Sequence, residues 1–175
     1  GPLVNSGQGR VVEVVDGDPL FLDDGVQVRL VGIQAPKLPL GRRNFKTWPL
    51  AGEAKRALEA LSLGRVVKLS YGGRRTDRYG RALAHLHRDD GVWIQQELLR
   101  LGMARVYSFR DNRAVVAELL AAERAARIDK VGIWGHGWYR IWQQEELHGG
   151  LDGVFLIEGI VLKSAQIRGR IYLNF

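Results

Sequence analysis

Val11, Val12, Val14 and Val15 open the patterned part of the chain as a β-branched run, the composition of a buried strand. Asp16-Gly17-Asp18 interrupts the run with turn residues. Leu20 to Leu22 resumes it, Asp23-Asp24-Gly25 signals a hairpin, and Val26 to Ile33 alternates apolar with polar positions. Ala51 to Leu61 has helical spacing: Ala54, Ala57, Leu58 and Leu61 form one stripe, Glu53, Lys55, Arg56 and Glu59 the other, and Gly64 stops the helix. Arg65 to Tyr71 and Arg81 to His87 read as strands, joined by the basic turn Gly72-Gly73-Arg74-Arg75-Thr76. Trp93 to Leu101 predicts a second helix ended by Gly102, and Ala114 to Ala126 a third, with Val115, Leu119 and Ala122 facing inward. Pattern alone therefore gives an α+β domain.

Beyond it, residues 135–153 are an aromatic, glycine-containing connector carrying Trp138, Tyr139, Ile141, Trp142 and Leu147. Residues 154–175 read as a strand hairpin, Phe155 to Leu162 against Arg170 to Phe175. A lone hairpin is marginal in water. It is expected to dock on the main domain, to pair with a second copy, or to begin a truncated second domain, and docking or swapping is favoured. Residues 10–134 form the main domain. Residues 1–9, polar and glycine-containing, are expected to be disordered or foreign to the natural chain.

Composition sharpens this picture only in part. A chain of 175 residues with 46% hydrophobic content can bury a sizeable core. The net charge of +7 and pI near 10.0 favour an anionic partner, nucleic acid first and an acidic membrane surface second. With no cysteine there is neither a disulfide framework nor a thiolate metal site. No apolar run is long enough to span a bilayer. Gly1 to Gly9 lacks the apolar centre of a signal peptide, which leaves export of a processed precursor open and the compartment unassigned. The loop Pro36 to Pro49 interleaves Lys37, Arg42, Arg43 and Lys46 with Phe45 and Trp48. It is read either as a nucleic-acid grip or as a loop whose aromatics dock on the body.

Five blocks then stand in one order: Val14-Val15-Asp16-Gly17-Asp18-Pro19, Val28-Arg29-Leu30-Val31-Gly32-Ile33-Gln34-Ala35-Pro36-Lys37, Asp77-Arg78-Tyr79-Gly80-Arg81, Gly102-Met103-Ala104-Arg105-Val106-Tyr107 and Gly132-Ile133-Trp134. Together they resemble the staphylococcal nuclease family over roughly Gly9 to Trp134. The resemblance implies a five-stranded OB-fold barrel with three helices. It also implies phosphodiester hydrolysis with calcium held by carboxylates, a clamp of two arginines and a water-activating glutamate. By that resemblance Asp18 is a calcium aspartate, Asp16 supports the turn, and Arg29 and Arg81 are the clamp. A planar guanidinium fork suits that role because it grips two phosphate oxygens at once. Tyr107 and Phe109 occupy the region that places aromatics against a base, or else pack in the core. Arg74, Arg75, Arg78 and Arg110 could extend a backbone track.

Where the chain departs from the family, it departs in charge. Gln34 stands at the second calcium aspartate, Ala35 at a threonine, Lys37 at the water-activating glutamate and Pro19 at another threonine. Carboxylate count tunes calcium affinity, so no cofactor is expected, with calcium as the exception should the family site still function. The Lys37 ammonium is expected to sit near Asp18 in place of the ion; Lys37 as a general base would need a strongly lowered pKa. His85 and His87 could form a zinc pair but lack clear partners and read better as barrel-surface histidines. Three functions follow: a nucleic-acid-binding module with a retained arginine clamp and lost or weakened hydrolysis, an active phosphodiesterase, or a protein-interaction domain that self-associates through its C-terminal strands.

Overall fold

The computed structural model describes residues 1–147 and 153–174; His148 of the connector and Phe175 of the last strand lie outside them. In chain order the elements are β1 (Val4–Val14), β2 (Pro19–Leu22), β3 (Gln27–Leu30), β4 (Gly32–Gln34), α1 (Ala51–Ser62), β5 (Val66–Tyr71), β6 (Ala82–Arg88), α2 (Ile94–Arg100), β7 (Arg105–Tyr107), α3 (Val116–Ile128), β8 (Ile141–Gln143), β9 (Leu156–Glu158), β10 (Lys163–Ile167) and β11 (Arg170–Asn174). Residues 1–135 and 136–175 are separate compact units. No helix of the described residues is long and apolar enough to cross a membrane.

In the first unit β1, β2, β3, β6 and β5 close into a barrel, β3 and β6 parallel and the other neighbours antiparallel. This is the five-stranded, three-helix OB-like fold. Alternation along the strands turns Val11, Val14, Leu20, Leu22, Val28, Leu30, Leu69, Ala84 and Leu86 into one buried cluster. Leu58 of α1, Ile94, Leu98 and Leu99 of α2 and Leu119 of α3 cover it. Gln95, fully buried, ties α2 to the barrel: its Oε1 accepts the Leu86 N–H at 3.1 Å, and its Nε2 donates to the carbonyls of Ala84 at 2.9 Å and Val31 at 3.3 Å. A buried amide is tolerated because each end is satisfied.

The strand predicted from Val26 to Ile33 is broken in two. Gly32 has φ +86, and a Cβ there would stand 2.7 Å from Leu119 Cδ1. Only glycine fits both conditions. The kink takes Ile33 and Gln34 off the barrel and pairs them with Val106 and Arg105 of β7. A second close approach fixes the turn after β1. A Cβ on Gly17 would lie 2.5 Å from Ala35 Cβ and 3.0 Å from Ala54 Cβ, so the Asp16-Gly17-Asp18 turn presses against the Ala35 loop and α1.

Two expectations need correction in this unit. Residues 4–9 are not disordered: they form the first half of β1, where Val4, Asn5, Gln8, Gly9 and Arg10 pair with Tyr71, Ser70, Lys68, Val67 and Val66. A shift in register between Asn5 and Gln8 accommodates the polar, glycine-containing sequence. His85 is not a surface residue either; it is 2% exposed. Trp93 covers it, edge-on to His85 and stacked on His87. No group of three His, Cys, Asp or Glu able to hold a metal forms among the described residues.

The second unit opens with a 3-10 turn at Gly137–Tyr139 capped by His136, whose Nδ1 accepts the Trp138 N–H at 3.2 Å. β8 and β9 pair in parallel, with Trp142 edge-on to Phe155 and Arg140 stacked on Trp142 at 3.6 Å. The hairpin exists, but its first strand is Lys163–Ile167, not Phe155 to Leu162. Arg168 and Gly169, at φ +48 and +77, form a two-residue loop that opposes Ile167 to Arg170 and fixes the register. The apolar run before Lys163 gives only the short β9.

Burial lowers the His85 pKa to about 4, and His87 beside it adds to the effect. Its folded-state pKa lies below the unfolded value, so this contribution to stability is present above about pH 6.5 and is lost as pH falls towards 4. Urea unfolding at pH 7 and pH 4.5 should show a loss at the lower pH that is about 2–3 kcal/mol smaller in His85→Asn than in the natural chain.

Candidate functional site

Both carboxylates of the turn after β1 are buried, each 2% exposed. Asp16 braces the turn: its Oδ1 accepts the Gly17 N–H at 2.9 Å and its Oδ2 the Leu38 N–H at 3.3 Å. Burial raises its pKa, against the lowering effect of those two bonds and of the nearby Lys37 charge. Asp18 faces Lys37. The ammonium donates to both carboxylate oxygens, at 2.8 and 2.7 Å, and the Ala35 N–H reaches Oδ2 at 3.1 Å. The Lys37 side chain is 21% exposed, so the pair sits at the inner wall of a cleft and not in bulk water.

That cleft, of about 280 Å³, is lined by Asp16, Asp18, Pro19, Arg29, Lys37, Leu40, Arg42 and Arg81. Arg29 comes from β3, where it stands opposite Pro19 on one side and Leu83 on the other. Arg81 is held from the side. Its Nε donates to Asp77 Oδ2 at 2.7 Å, while Asp77 Oδ1 accepts the backbone N–H groups of Tyr79 at 2.8 Å and Arg81 at 3.0 Å. Burial pushes the Asp77 pKa up, but these bonds outweigh it and the carboxyl lies below its ordinary range. One edge of the Arg81 fork is thus spent on its own turn, and the two Nη groups are the end that can meet an anion.

Arg29 and Arg81 also line a second, larger cleft of about 410 Å³, with Gln34, Arg74, Asp77, Arg78, Tyr79, Leu83, Tyr107, Phe109 and Asp111. The two arginines therefore stand on the rim shared by both. Tyr107 and Phe109 meet edge to face at 5.0 Å, and the Arg29 guanidinium lies 5.5 Å from the Phe109 ring. Tyr79, 67% exposed, carries Arg78 at 4.8 Å and Arg81 at 5.6 Å.

Not every expected residue joins these clefts. Gln34 lines the larger cleft and not the smaller one; its Oε1 accepts from Arg105 Nη2 at 2.5 Å. Arg74 and Arg78 line the larger cleft, whereas Arg75 turns towards Tyr71 and Ser6. Arg110 lines neither cleft. Arg42 reaches the smaller cleft but stacks on Phe45 at 3.7 Å and donates to the carbonyls of Leu38 and Pro39, so that aromatic of the loop serves the loop itself. Asp77, Tyr79 and Arg105 stand in the motif blocks without a role that the sequence alone assigns. Asp77 was signalled by its spacing of four from Arg81 across a glycine turn. Arg105 was signalled only through a cross-strand pairing with Gln34 that no local pattern reveals.

The family model for staphylococcal nuclease homologues matches residues 27–136. The chain belongs to this family. An Escherichia coli O157:H7 protein named as an uncharacterized endonuclease is 33% identical over 129 residues, covering 72% of this chain and 76% of the relative. Protein ParB of Escherichia coli is 32% identical over 144 residues, covering 73% and 72%. Endonuclease YncB of Bacillus subtilis is 32% identical over 132 residues, covering 71% and 60%. The family match spans β3 to α3 and the turn beyond, and so includes Arg29, Gln34, Lys37 and Arg81.

Removing the Lys37 ammonium leaves the Asp18 carboxylate buried without its cation. Lys37→Met is expected to lower stability by about 2–3 kcal/mol. Adding Asp18→Asn should recover a large part of that loss, and a double-mutant cycle on urea midpoints checks the coupling.

Proposed function

We propose that this chain binds single-stranded nucleic acid by its phosphodiester backbone, through Arg29 and Arg81, and that calcium-dependent hydrolysis is lost or much weakened. The observation that carries the reading is the Lys37–Asp18 contact at 2.7 Å. An ammonium on both oxygens of Asp18 supplies fixed positive charge at the point where the family's chemistry calls for a divalent ion. The donor set does not fit calcium, which takes roughly six to eight oxygen ligands. Asp16 is spent on backbone N–H groups, Gln34 on Arg105, and Asp18 on Lys37 and the Ala35 N–H.

Hydrolysis also needs an activated water. A lysine engaged as an ammonium with a buried carboxylate has no lone pair to take a proton, so Lys37 cannot serve as the base in this state. Phosphate binding has no such requirement. Two guanidinium groups that line both clefts, with an aromatic pair in the larger one, would supply backbone grip and stacking together. The net charge of +7 favours the same partner. The endonuclease names of the relatives favour the other reading, an active phosphodiesterase.

Fluorescence anisotropy with single-stranded DNA should show binding in EDTA that weakens steeply with salt. Arg29→Ala should weaken it by about tenfold or more. In a nuclease assay with calcium the natural chain should leave the DNA intact, and Gln34→Asp combined with Lys37→Glu should gain cleavage. Calcium-dependent cleavage by the natural chain, abolished by Arg29→Ala, would restore the phosphodiesterase reading.

A further inference from the structure

The larger cleft contains one polar side chain whose placement the arginine clamp does not explain. Gln34 stands opposite Arg105 in the β4–β7 pair, two residues along from the Gly32–Tyr107 pairing. The Gly32 kink puts it there. Its Oε1 accepts from Arg105 Nη2 at 2.5 Å, and Arg105 lies 5.0 Å from the Tyr107 ring. A guanidinium can only donate, so the end of the amide turned towards Arg105 must be the oxygen. The NH₂ is the opposite end, and nothing among the described residues accepts a hydrogen bond from it. Burial weakens the charged form of Arg105, while Tyr107 and Glu123 favour it. The amide is therefore held in one orientation by Arg105, in the cleft that Tyr107 and Phe109 also line.

The other equipment of this cleft does not duplicate that group. The carboxylate of Asp77 is engaged with Arg81, and Arg74 is committed through its Nε to the Thr76 carbonyl. Arg29 faces the Phe109 ring on the shared rim. Tyr79 and Tyr107 also line it, but a phenol can turn between donating and accepting, whereas the Gln34 NH₂, with its oxygen held by Arg105, only donates. A base stacked against Tyr107 and Phe109 would bring its edge to such a donor, and an amide NH₂ selects an acceptor there over another donor.

We propose that Gln34, oriented by Arg105, is a base-selecting residue that favours a carbonyl-edged base, such as thymine or uracil, over one presenting an amino group at the same position, such as cytosine. This rests on the nucleic-acid-binding reading above, and it makes Gln34 a reader of the ligand instead of a metal ligand.

The test is anisotropy with the full chain and 5′-labelled oligo(dT) and oligo(dC) of equal length, at pH 8 in EDTA. The natural chain should bind oligo(dT) about three- to tenfold tighter, the range of one well-made hydrogen bond. Gln34→Leu should bring oligo(dT) down to the oligo(dC) level. Gln34→Glu, which keeps a partner for Arg105 but replaces the donor with an acceptor, should reverse the preference. The ratio of the two affinities is the readout, because damage to the fold lowers both together. Equal affinities in the natural chain, or a preference unchanged by Gln34→Leu, would overturn the base-selecting role while the backbone clamp stands. Failure to bind either oligonucleotide would overturn the clamp and this role with it.

Discussion

A carboxylate taken out of water must be neutralised or matched, and Asp18 is held at 2% exposure by a barrel that has no alternative place for it. The close approach of Gly17 to Ala35 and Ala54 fixes the turn, and β2 starts directly after it. Lys37 supplies the match, 2.7 Å away. It gives the Asp18 carboxylate a partner within a wall that also carries Arg29 and Arg81, and the Lys37 charge works against the burial that raises the neighbouring Asp16 pKa. A buried ion pair is weak evidence for stability in itself. Its meaning here lies in what it occupies.

The second constraint is geometric. Gly32 ends β3 early because a side chain at that position would enter Leu119, so the residue two further on leaves the barrel for β7. Gln34 and Lys37, three apart in sequence, consequently serve different clefts: Lys37 faces Asp18, and Gln34 faces Arg105. Arg29 and Arg81 lie on the rim between. A ligand gripped at the rim can extend a phosphate towards one side and a base towards the other. On the proposed reading, the two departures from the family's pattern would act on separate parts of one ligand.

Much of the barrel was legible because its signals are local. The β-branched run at Val11 to Val15, the turn at Asp16 to Asp18 and the helical stripe at Ala54, Leu58 and Leu61 depend on short-range pattern. Arg29 and Arg81 were found through motif blocks, not through periodicity. What the sequence hid is non-local. Residues 4–9 read as a tail because they are polar and contain glycine, but backbone pairing with β5 needs no apolar side chain. His85 was placed at the surface because strand alternation cannot foresee Trp93 folding over it. The hairpin register was misjudged because an apolar run outweighed the Arg168-Gly169 turn, although the turn is what decides which residues can face each other. Asp77 and Arg105 act by holding Arg81 and Gln34, and such positioning is visible only once the partners are in space.

Charge makes these changes interdependent. In a site without an ion, a glutamate at position 37 would stand beside Asp16 and Asp18, and three carboxylates in one wall repel, with only the arginines of the cleft to offset them. A lysine there removes the repulsion, but it also fills the place a divalent ion would need. Once that place is filled, a carboxylate at position 34 no longer has a metal to justify it and would answer only to Arg105. The neutral amide satisfies Arg105 with one end and has a donor left over, which a carboxylate would not. On the reading proposed above, the lysine and the glutamine are one coherent solution: the first would replace the electrostatic part of the ion, and the second would turn the ligand position to hydrogen bonding.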